Sequence, residues 1–260
     1  MKKMKITLTL IVLALLLRSN PVSAQEYKIP VENNKDGSLT LEGFSGELPV
    51  EGYSGNEIVI SSSSHRFETP ERAKGLKPIY AAGTDNTGMA VYFEKNGNKI
   101  TLHCLLPITQ GARYRIRVPE NFALRIHRDC GGSGKTTIEN IKNEIEFNGC
   151  NSIELKNVTG PLVVSTIGGR VSVVFSEISK DKPISLATVG GELDVTLPAK
   201  AAVDLEMGTI SGNMYTDFEF PADKQEMRRV GGRSIHTQLN GGGTALRLHS
   251  IGGNIYLRKG

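Results

Sequence analysis

A short phrase recurs along the 260-residue chain and constrains its fold more than any other feature. It consists of an apolar residue, a small residue, Gly, any residue, and two apolar residues separated by one position. Full matches begin at Phe44, Val158, Ile167, Val189 and Ile251, and a near match begins at Ile210. From residue 169, the glycines of the phrase follow at positions 191, 212, 232 and 253, about 21 residues apart. A fixed period of this size is typical of a solenoid, in which each repeat buries its apolar face against its neighbours.

The interior of each phrase alternates between apolar and other residues, which is the pattern of a strand with one buried face. Glycine ahead of the strand would permit a positive φ at a tight corner. The chain also has 29 glycines and no Trp, and this composition favours many turns over long helices. The sequence therefore predicts an all-β fold. We expect a single-stranded β-helix-like solenoid of Gly-cornered repeats over Phe122–Gly260, preceded by a less regular β region, Gln25–Asn121, that is continuous with it.

The first 24 residues have the three parts of a secretory signal peptide. A basic cluster at positions 2–5 precedes a 12-residue apolar run, Ile6–Leu17, and small residues end the segment at Ala24. The run is shorter than the roughly 20 residues that a membrane-spanning helix needs. We therefore expect Met1–Ala24 to be cleaved before Gln25, which would export the protein to the periplasm or the cell surface with no membrane span.

The charge balance argues against a nucleic-acid partner. The whole chain carries 31 basic and 27 acidic residues, and the signal segment holds four of the basic residues and none of the acidic ones. The mature chain would therefore be neutral, and no block of like charge remains to attract nucleic acid or anionic lipid. Together with the repeat pattern, this composition excludes a coiled coil, a membrane bundle and a cytosolic nucleotide-dependent enzyme.

Two segments interrupt the repeats. Within His65–Gly97, the stretch Thr69–Gly75 predicts one helical turn that ends at its glycine. The second segment, Asp217–Arg229, lies between two late repeats and forms a candidate contact loop, because long loops on rigid scaffolds often carry function. Its candidate contact residues are Phe218, Phe220, Arg228 and Arg229. The alternative is that the two phenylalanines cap the core.

Several stretches carry a resemblance to a known family. They are Leu41–Gly46, Ala73–Pro78 followed by Asp85–Gly88, Tyr114–Pro119, and the closing Leu246–Lys259. On these residues the mature chain resembles the bacterial putative-adhesin domain family of unknown function, and it is similar to the head domains of auto-transporter adhesins. The resemblance implies a single-stranded β-helix-like fold in an exported or surface protein, and it supplies no catalytic residues.

The spacing of two cysteines matches the repeat. Cys130 and Cys150 are separated by about one period, so the repeat would place one above the other on adjacent turns of the solenoid. Adjacent strands are about 4.8 Å apart, which falls within the roughly 4.4–6.8 Å between the Cα atoms of a disulfide. Because an exported chain meets an oxidising compartment, the two form a candidate disulfide. The alternative is a pair of buried thiols, and Cys104 is the odd residue in either case.

Three patterns suggest chemistry, and each has a simpler interpretation. Asp129–Thr136 resembles a phosphate-binding loop, but Asp replaces its first Gly and the β context predicts a Gly-rich corner. His127 and Cys130 resemble an imidazole-activated thiol, but three residues around a corner are expected to point apart. The five histidines lack the spacing of a preorganised metal site, and Asp194 and Asp204 stand singly. We therefore expect no catalytic, cofactor-binding or metal-binding residues and no cofactor.

The leading hypothesis is an exported, non-enzymatic, adhesin-like binding or scaffold protein of the bacterial cell envelope, whose partner is an unknown protein or glycan. The alternative is a periplasmic accessory or sensor module in envelope signalling, which a dedicated inner-membrane partner would favour. The third hypothesis is a glycan-active β-helix enzyme, which requires a cluster of carboxylates on one face. Arg258 and Lys259 are expected to charge the last edge of the solenoid and to discourage pairing between ends.

Overall fold

The computed structural model describes residues 25–63, 70–76, 78–110, 112–180, 182–220 and 233–260, and these ranges form an all-β protein. The helical turn expected near Gly75 is confirmed as a 3-10 helix at Glu71–Ala73, and Gly75 follows it with φ +84°. Within the same ranges the strands are β1 (Gln25–Pro30), β2 (Ser38–Glu42), β3 (Leu48–Tyr53), β4 (Glu57–Ser62), β5 (Val91–Asn96), β6 (Lys99–Cys104), β7 (Tyr114–Pro119), β8 (Ala123–His127), β9 (Thr136–Glu139), β10 (Ile145–Gly149), β11 (Ile153–Val158), β12 (Leu162–Thr166), β13 (Val171–Phe175), β14 (Ile184–Thr188), β15 (Leu193–Leu197), β16 (Val203–Thr209), β17 (Met214–Thr216), β18 (Arg233–Leu239), β19 (Thr244–Ser250) and β20 (Ile255–Lys259).

The strands of the described ranges form two mixed ten-stranded sheets. Sheet 1 has the order β1-β4-β7-β3-β9-β11-β13-β15-β20-β17, and sheet 2 has the order β18-β16-β19-β14-β12-β10-β8-β2-β6-β5. From β6 to β18, successive strands alternate between sheet 2 and sheet 1. The prediction of an all-β chain is confirmed, and the described part contains neither a closed barrel nor a closed solenoid.

Pairs of successive strands, one from each sheet, form the repeating unit of the structure. We call each pair a layer, for example β10 with β11 or β12 with β13. Neighbouring layers pair in parallel and in register, so that Leu162 lies between Ile145 and Ile184. The inward side chains form a continuous buried cluster that extends from Ile29 to Leu257. Burying each Leu, Ile or Val contributes about 1.5–3 kcal/mol, so the stacked apolar columns hold the two sheets together.

The layers are not stacked in chain order. The last layer, β19 with β20, lies between β14–β15 and β16–β17, and the layer of β2 with β3 lies between β6–β7 and β8–β9. A turn from Asn240 to Gly243, in which all four residues have positive φ, carries the chain from β18 past β16 to β19. Its three glycines suit these angles, which other residues rarely adopt. The prediction that Arg258 and Lys259 charge a free edge is wrong, because β20 lies inside sheet 1 between β15 and β17.

Antiparallel strands lie at both ends of the stack. At one end, β1 and β4 continue sheet 1 beyond β7, and β5 continues sheet 2 beyond β6. At the far end, β18 pairs with β16 on sheet 2, whereas the three-residue β17 is the last described strand of sheet 1. The far end is thus finished differently on its two sheets. None of the described ranges holds a helix with the length and apolar character needed to cross a membrane.

Candidate contact surface at the far end of the stack

At four copies of the repeated phrase, those that begin at Ile167, Val189, Ile210 and Ile251, the chain forms the corner where a layer turns from sheet 2 to sheet 1. The copy at Val158 instead leads from β11 of sheet 1 to β12 of sheet 2 in the next layer. A buried Thr or Ser precedes each of the four corners, in the stacking order Thr166, Thr188, Ser250 and Thr209. The Thr188 hydroxyl donates to the Gly169 carbonyl of the adjacent layer at 3.3 Å and accepts from the Gly191 N–H at 3.1 Å. Ser250 makes the equivalent bonds with the Gly191 carbonyl at 3.1 Å and the Gly253 N–H at 2.8 Å. Each of these hydroxyls therefore joins two layers and satisfies two buried backbone groups.

The corner glycines are needed for close approach between layers. A Cβ atom on Gly191 would lie 1.9 Å from the Gly169 carbonyl oxygen, and one on Gly253 would lie 1.8 Å from the Gly191 carbonyl oxygen. Gly212 in turn packs on Gly253, where the distance would be 2.0 Å. None of these four glycines has a positive φ. The predicted reason for them, a positive φ ahead of the strand, is therefore wrong at these corners.

Each of these corners also turns one β-branched apolar side chain outward. In stacking order these side chains are Ile167, Val189, Ile251 and Ile210, and each is about half exposed, at 45–59%. Backbone bonds between layers keep them in line, because the Gly190 N–H donates to the Ile167 carbonyl at 2.8 Å and the same bond recurs in the next layer. We call this row the corner ridge. A continuous apolar row is typical of a contact surface, whereas singly exposed apolar residues are not.

A groove of about 470 Å³ runs beside the corner ridge on the outer face of sheet 2. Its floor is formed by one outward residue from each of five neighbouring strands, Ser165, Ala187, His249, Gly208 and Ser234 in stacking order. The first four lie near the ends of parallel strands, and Ser234 lies near the start of the antiparallel β18. All except His249 are small, and the His249 ring lies over Gly208, where a Cβ atom would be 3.3 Å from the ring Nδ1. Arg233 lies at the β18 end, and its Nη1 donates to the Asn213 Oδ1 at 3.0 Å. We call this feature the corner groove, and its volume falls within the roughly 300–1,000 Å³ of ligand sites.

Charged side chains follow the groove along the adjacent outward row. Glu206 lies 3.2 Å from the Arg247 Nε and 3.4 Å from the His249 Nε2, and His236 on β18 is its cross-strand partner. A second concavity of about 410 Å³ continues beyond them. Surface ion pairs of this kind contribute only about 0–1 kcal/mol to stability, so these groups are available to a polar partner. In the part of the chain that the structure describes, no three His, Cys, Asp or Glu residues form a metal site.

Cys130 and Cys150 lie at the corners of two neighbouring layers, in line with the corner ridge. Cys130 and Cys150 form a disulfide between adjacent layers, with their Cα atoms 5.0 Å apart. Gly149, just before Cys150, pairs with Thr166, just before the first ridge residue. Cys104 is a buried free thiol, and burial raises its pKa. The structure thus brings the two cysteines of the predicted pair together, and their pairing in the exported protein stays a prediction.

A buried arginine lies under the Gly-rich corner that resembles a phosphate-binding loop. Arg128 is 2% exposed, and its Nη1 donates at 2.9 Å to Thr136 Oγ1, a hydroxyl within an otherwise apolar core column. Its Nη2 donates to the carbonyls of Gly46 and Ser133 at 2.7 and 3.2 Å. Its Nε has no partner among the described residues, and burial lowers the pKa of the guanidinium. Arg128 therefore braces this corner, and a strand follows the corner where a nucleotide-binding loop requires a helix.

Sequence reasoning missed Arg128, although its position carries a signal. It follows Leu124 and Ile126 at the two-residue spacing of the buried face. Gly149 on the next layer leaves room for the long side chain, because a Cβ atom there would lie 3.1 Å from the Arg128 Cβ. A charged residue at an inward strand position, with glycine opposite, is the sequence sign of such a buried brace.

The residues that suggested catalysis do not converge. His127 is exposed, and its Nε2 lies 3.9 Å from the Asp129 Oδ1. Its candidate thiol partner, Cys130, is part of the disulfide. Asp194 lies on β15 of sheet 1, and Asp204 lies on β16 of sheet 2. The two aspartates therefore sit on different sheets and form no common carboxylate site.

The candidate contact loop is described only in part. Phe218 and Phe220 are half-buried and pack against the core, as the alternative interpretation expected. Arg228 and Arg229 lie outside the described residues, and so does the signal-like segment Met1–Ala24. The role of the loop as a contact site stays a prediction.

No protein-family model matches the chain, and no curated protein sequence matches it. A putative cell adhesion protein from Clostridium sporogenes is similar in structure, with 12% identity, coverage of 92% of this chain and 100% of that chain, and a TM-score of 0.48. A putative adhesin from Bacteroides fragilis has 13% identity, coverage of 91% and 97%, and a TM-score of 0.43. A putative adhesin from Parabacteroides distasonis has 10% identity, coverage of 90% and 97%, and a TM-score of 0.31.

Structures named as adhesins are thus among the structural neighbours of the chain. Identities of 10–13% with TM-scores below 0.5 assign no function. The similarity to auto-transporter adhesins has no counterpart among these structures and stays a prediction.

Proposed function

We propose that the protein is an exported, non-enzymatic, adhesin-like binding or scaffold protein of the bacterial cell envelope, and that the corner ridge and corner groove form its contact surface. The observation that carries the proposal is the apolar ridge beside a groove of about 470 Å³, both built on a continuous two-sheet core. A soluble protein rarely exposes a contiguous apolar row, and such rows mark sites of interaction.

The groove suits a polypeptide segment that carries an apolar side chain next to an acidic group. Ile251 and Ile210 form its apolar wall at the far end of the stack. Arg247 is paired with Glu206, whereas Arg233 makes no ion pair within the described ranges. A carboxylate of the partner would therefore meet a guanidinium that forms no ion pair with the described residues, beside the apolar wall, which is the complementary arrangement of charge.

The same proposal includes the finer description of the fold. The alternation of strands and the parallel, in-register pairing of layers support a single-stranded β-helix-like solenoid over residues 122–260. The layer of β2 and β3 pairs in parallel with β8 and β9, which supports a less regular region over residues 25–121 that is continuous with the solenoid. A stack of this kind presents long, rigid faces, as a binding scaffold requires.

The location of the protein is tested by protease digestion of intact cells beside gently lysed cells. The signal-like Met1–Ala24 leads us to expect export. Digestion on intact cells is the expected result for a surface adhesin. Protection until lysis would contradict surface contact and would favour the periplasmic accessory or sensor module.

The contact surface is tested by two matched charge substitutions. Ile210→Asp places a carboxylate on the corner ridge, and Val174→Asp places one on the outer face of sheet 1, where Val174 is 41% exposed. Chemical crosslinking on living cells is expected to lose its products in Ile210→Asp and to keep them in Val174→Asp. Equal crosslinking in the two variants would contradict the assignment of the surface.

A further inference from the structure

The outer face of sheet 1 carries a second group of side chains at the far end of the stack. Asp194 on β15, Tyr256 on β20 and Tyr215 on β17 form one outward row across three neighbouring strands. The two rings are stacked, with 5.3 Å between their centroids and 11° between their planes. We call these three residues and Arg258 the aromatic platform. None of them lines the corner groove.

Contacts within the platform fix its geometry. Arg258 binds Asp194 through two hydrogen bonds of 2.7 and 3.1 Å, and its guanidinium carbon lies 5.6 Å from the centre of the Tyr256 ring. Asn254 donates to the Tyr256 hydroxyl at 3.1 Å. Because these contacts already hold the side chains in place, binding of a ligand would cost little additional side-chain entropy.

The outermost ring keeps one face open. Tyr215 is 51% exposed, and Tyr256 covers one of its faces. Across the described ranges no other ring or cation stacks on Tyr215. Arg258 uses Nε and Nη2 for Asp194, so its Nη1 has no partner within those ranges. Among the described residues, the platform therefore offers an aromatic face on which nothing stacks, a guanidinium N–H without a partner, and a carboxylate.

We infer that the aromatic platform is a carbohydrate-binding site that takes a pyranose ring of an oligosaccharide against Tyr215. One face of a pyranose consists of C–H groups, which are attracted to the electron-rich face of an aromatic ring. Its hydroxyl groups both donate and accept hydrogen bonds, so they match a guanidinium N–H, a carboxylate and a phenol. A flat sheet surface suits a chain of sugar rings, which has no long side chain to place in a cavity. This site lies on the other sheet from the proposed contact surface, so either assignment can fail without the other.

The test is titration of the purified protein with four hexasaccharides: cellohexaose, maltohexaose, chitohexaose and hexagalacturonate. The chain has 7 Tyr and no Trp, so tyrosine fluorescence reports on ring contacts directly, and calorimetry measures the affinity. We expect saturable binding of at least one sugar. Binding is expected to weaken about tenfold or more in Tyr215→Ala and to be retained in Tyr215→Phe, which keeps the ring. A preference for hexagalacturonate would assign the Arg258 Nη1 to a sugar carboxylate, and a preference for a neutral sugar would assign ring stacking as the main contact.

Tyr92→Ala is the matched control, because Tyr92 also stacks outward, on His103 in the other sheet, with ring centroids 5.9 Å apart. This variant is expected to bind as the unchanged protein does. Thermal unfolding is measured for each variant, and Tyr215→Leu, which keeps an apolar side chain but removes the aromatic face, takes the place of Tyr215→Ala if that variant is unfolded. The inference is overturned if none of the four sugars binds, if folded Tyr215→Ala binds as well as the unchanged protein, or if Tyr92→Ala weakens binding equally.

Discussion

Two neighbouring corner glycines are expected to respond very differently to alanine. A methyl group on Gly253 would lie 1.8 Å from the Gly191 carbonyl oxygen. On Gly252 the nearest atom, the Val189 carbonyl oxygen, would lie 3.4 Å away, which is an ordinary contact. Neither glycine has a positive φ, so backbone strain does not distinguish them. Gly253→Ala and Gly252→Ala therefore differ in the clash between layers.

The cost of this clash follows from the hydrogen bonds it breaks. The methyl group must move about 1.2 Å to reach the 3.0 Å below which Cβ contacts hardly occur. A shift of that size breaks two hydrogen bonds of the Ser250 hydroxyl. One is the bond that it donates to the Gly191 carbonyl, and the other is the bond that it accepts from the Gly253 N–H. Each unsatisfied buried group costs about 1–3 kcal/mol, and overpacking costs about 1–3 kcal/mol. The free energy of unfolding of Gly253→Ala is therefore expected to fall by about 3 kcal/mol or more, whereas that of Gly252→Ala changes by less than about 0.5 kcal/mol.

Urea unfolding followed by far-ultraviolet circular dichroism measures this difference. At a slope of about 1–3 kcal/mol per molar urea, the midpoint of Gly253→Ala is expected to fall by about 1 M or more. The midpoint of Gly252→Ala should stay with that of the unchanged protein. Equal midpoints in the two variants would refute close approach as the reason for the corner glycines.

Three further predictions concern two features of the interior and one partly buried carboxylate. Alkylation of the denatured, unreduced protein followed by mass spectrometry is expected to modify Cys104 alone, because Cys130 and Cys150 are joined; three modified thiols would contradict the pairing. Arg128→Met is expected to lower the free energy of unfolding by about 2–4 kcal/mol, because a core hydroxyl and two carbonyls lose their donor; an unchanged urea midpoint would show that the brace is dispensable. The hydrogen bond from Lys135, and next in size that from Lys156, lower the pKa of Glu154. The contribution of Glu154 to the free energy of unfolding is therefore present above its pKa in the unfolded chain and is lost as the pH falls through its lower pKa in the folded protein. At pH 7 the free energy of unfolding of Glu154→Gln should therefore be lower than that of the unchanged protein, by less than about 1 kcal/mol. The same difference between the two proteins at pH 3 would contradict this prediction.

The fold class could be predicted because its information is local. The alternation from Val171 to Val173 and from Leu193 to Val195 is enough to place a strand with one buried face, and the structure has β13 and β15 there. The Gly-rich phrases mark the corners between strands for the same reason. Such signals lie within a few residues, so a single sequence is sufficient to detect them.

The details of the corners could not be predicted, because they depend on the neighbouring layer. Gly191 looks in the sequence like a residue that permits an unusual φ, yet its function is to let the Gly169 carbonyl approach. The corner ridge is similar, since Ile210 and Ile251 appear in the phrase as apolar residues that could equally face the core. Their outward direction follows from the buried hydroxyl just before each of them, Thr209 or Ser250, which takes the inward position.

The order of the layers could not be predicted from the sequence either, because it also depends on contacts between distant residues. This order determines how the proposed contact surface forms. The phrases at Ile210 and Ile251 are nearly interchangeable in sequence, so nothing local shows that the later one stacks first on the layer of Val189. Among the described strands, β16 and β18 join sheet 2 only through β19, and β17 joins sheet 1 only through β20. Both the corner groove and the aromatic platform therefore combine strands that come earlier in the sequence with β19 and β20, the last two described strands. A chain that has not yet placed β19 and β20 would present β14 and β15 as open edges and would have neither surface. Contact by this end of the stack is thus coupled to completion of the fold.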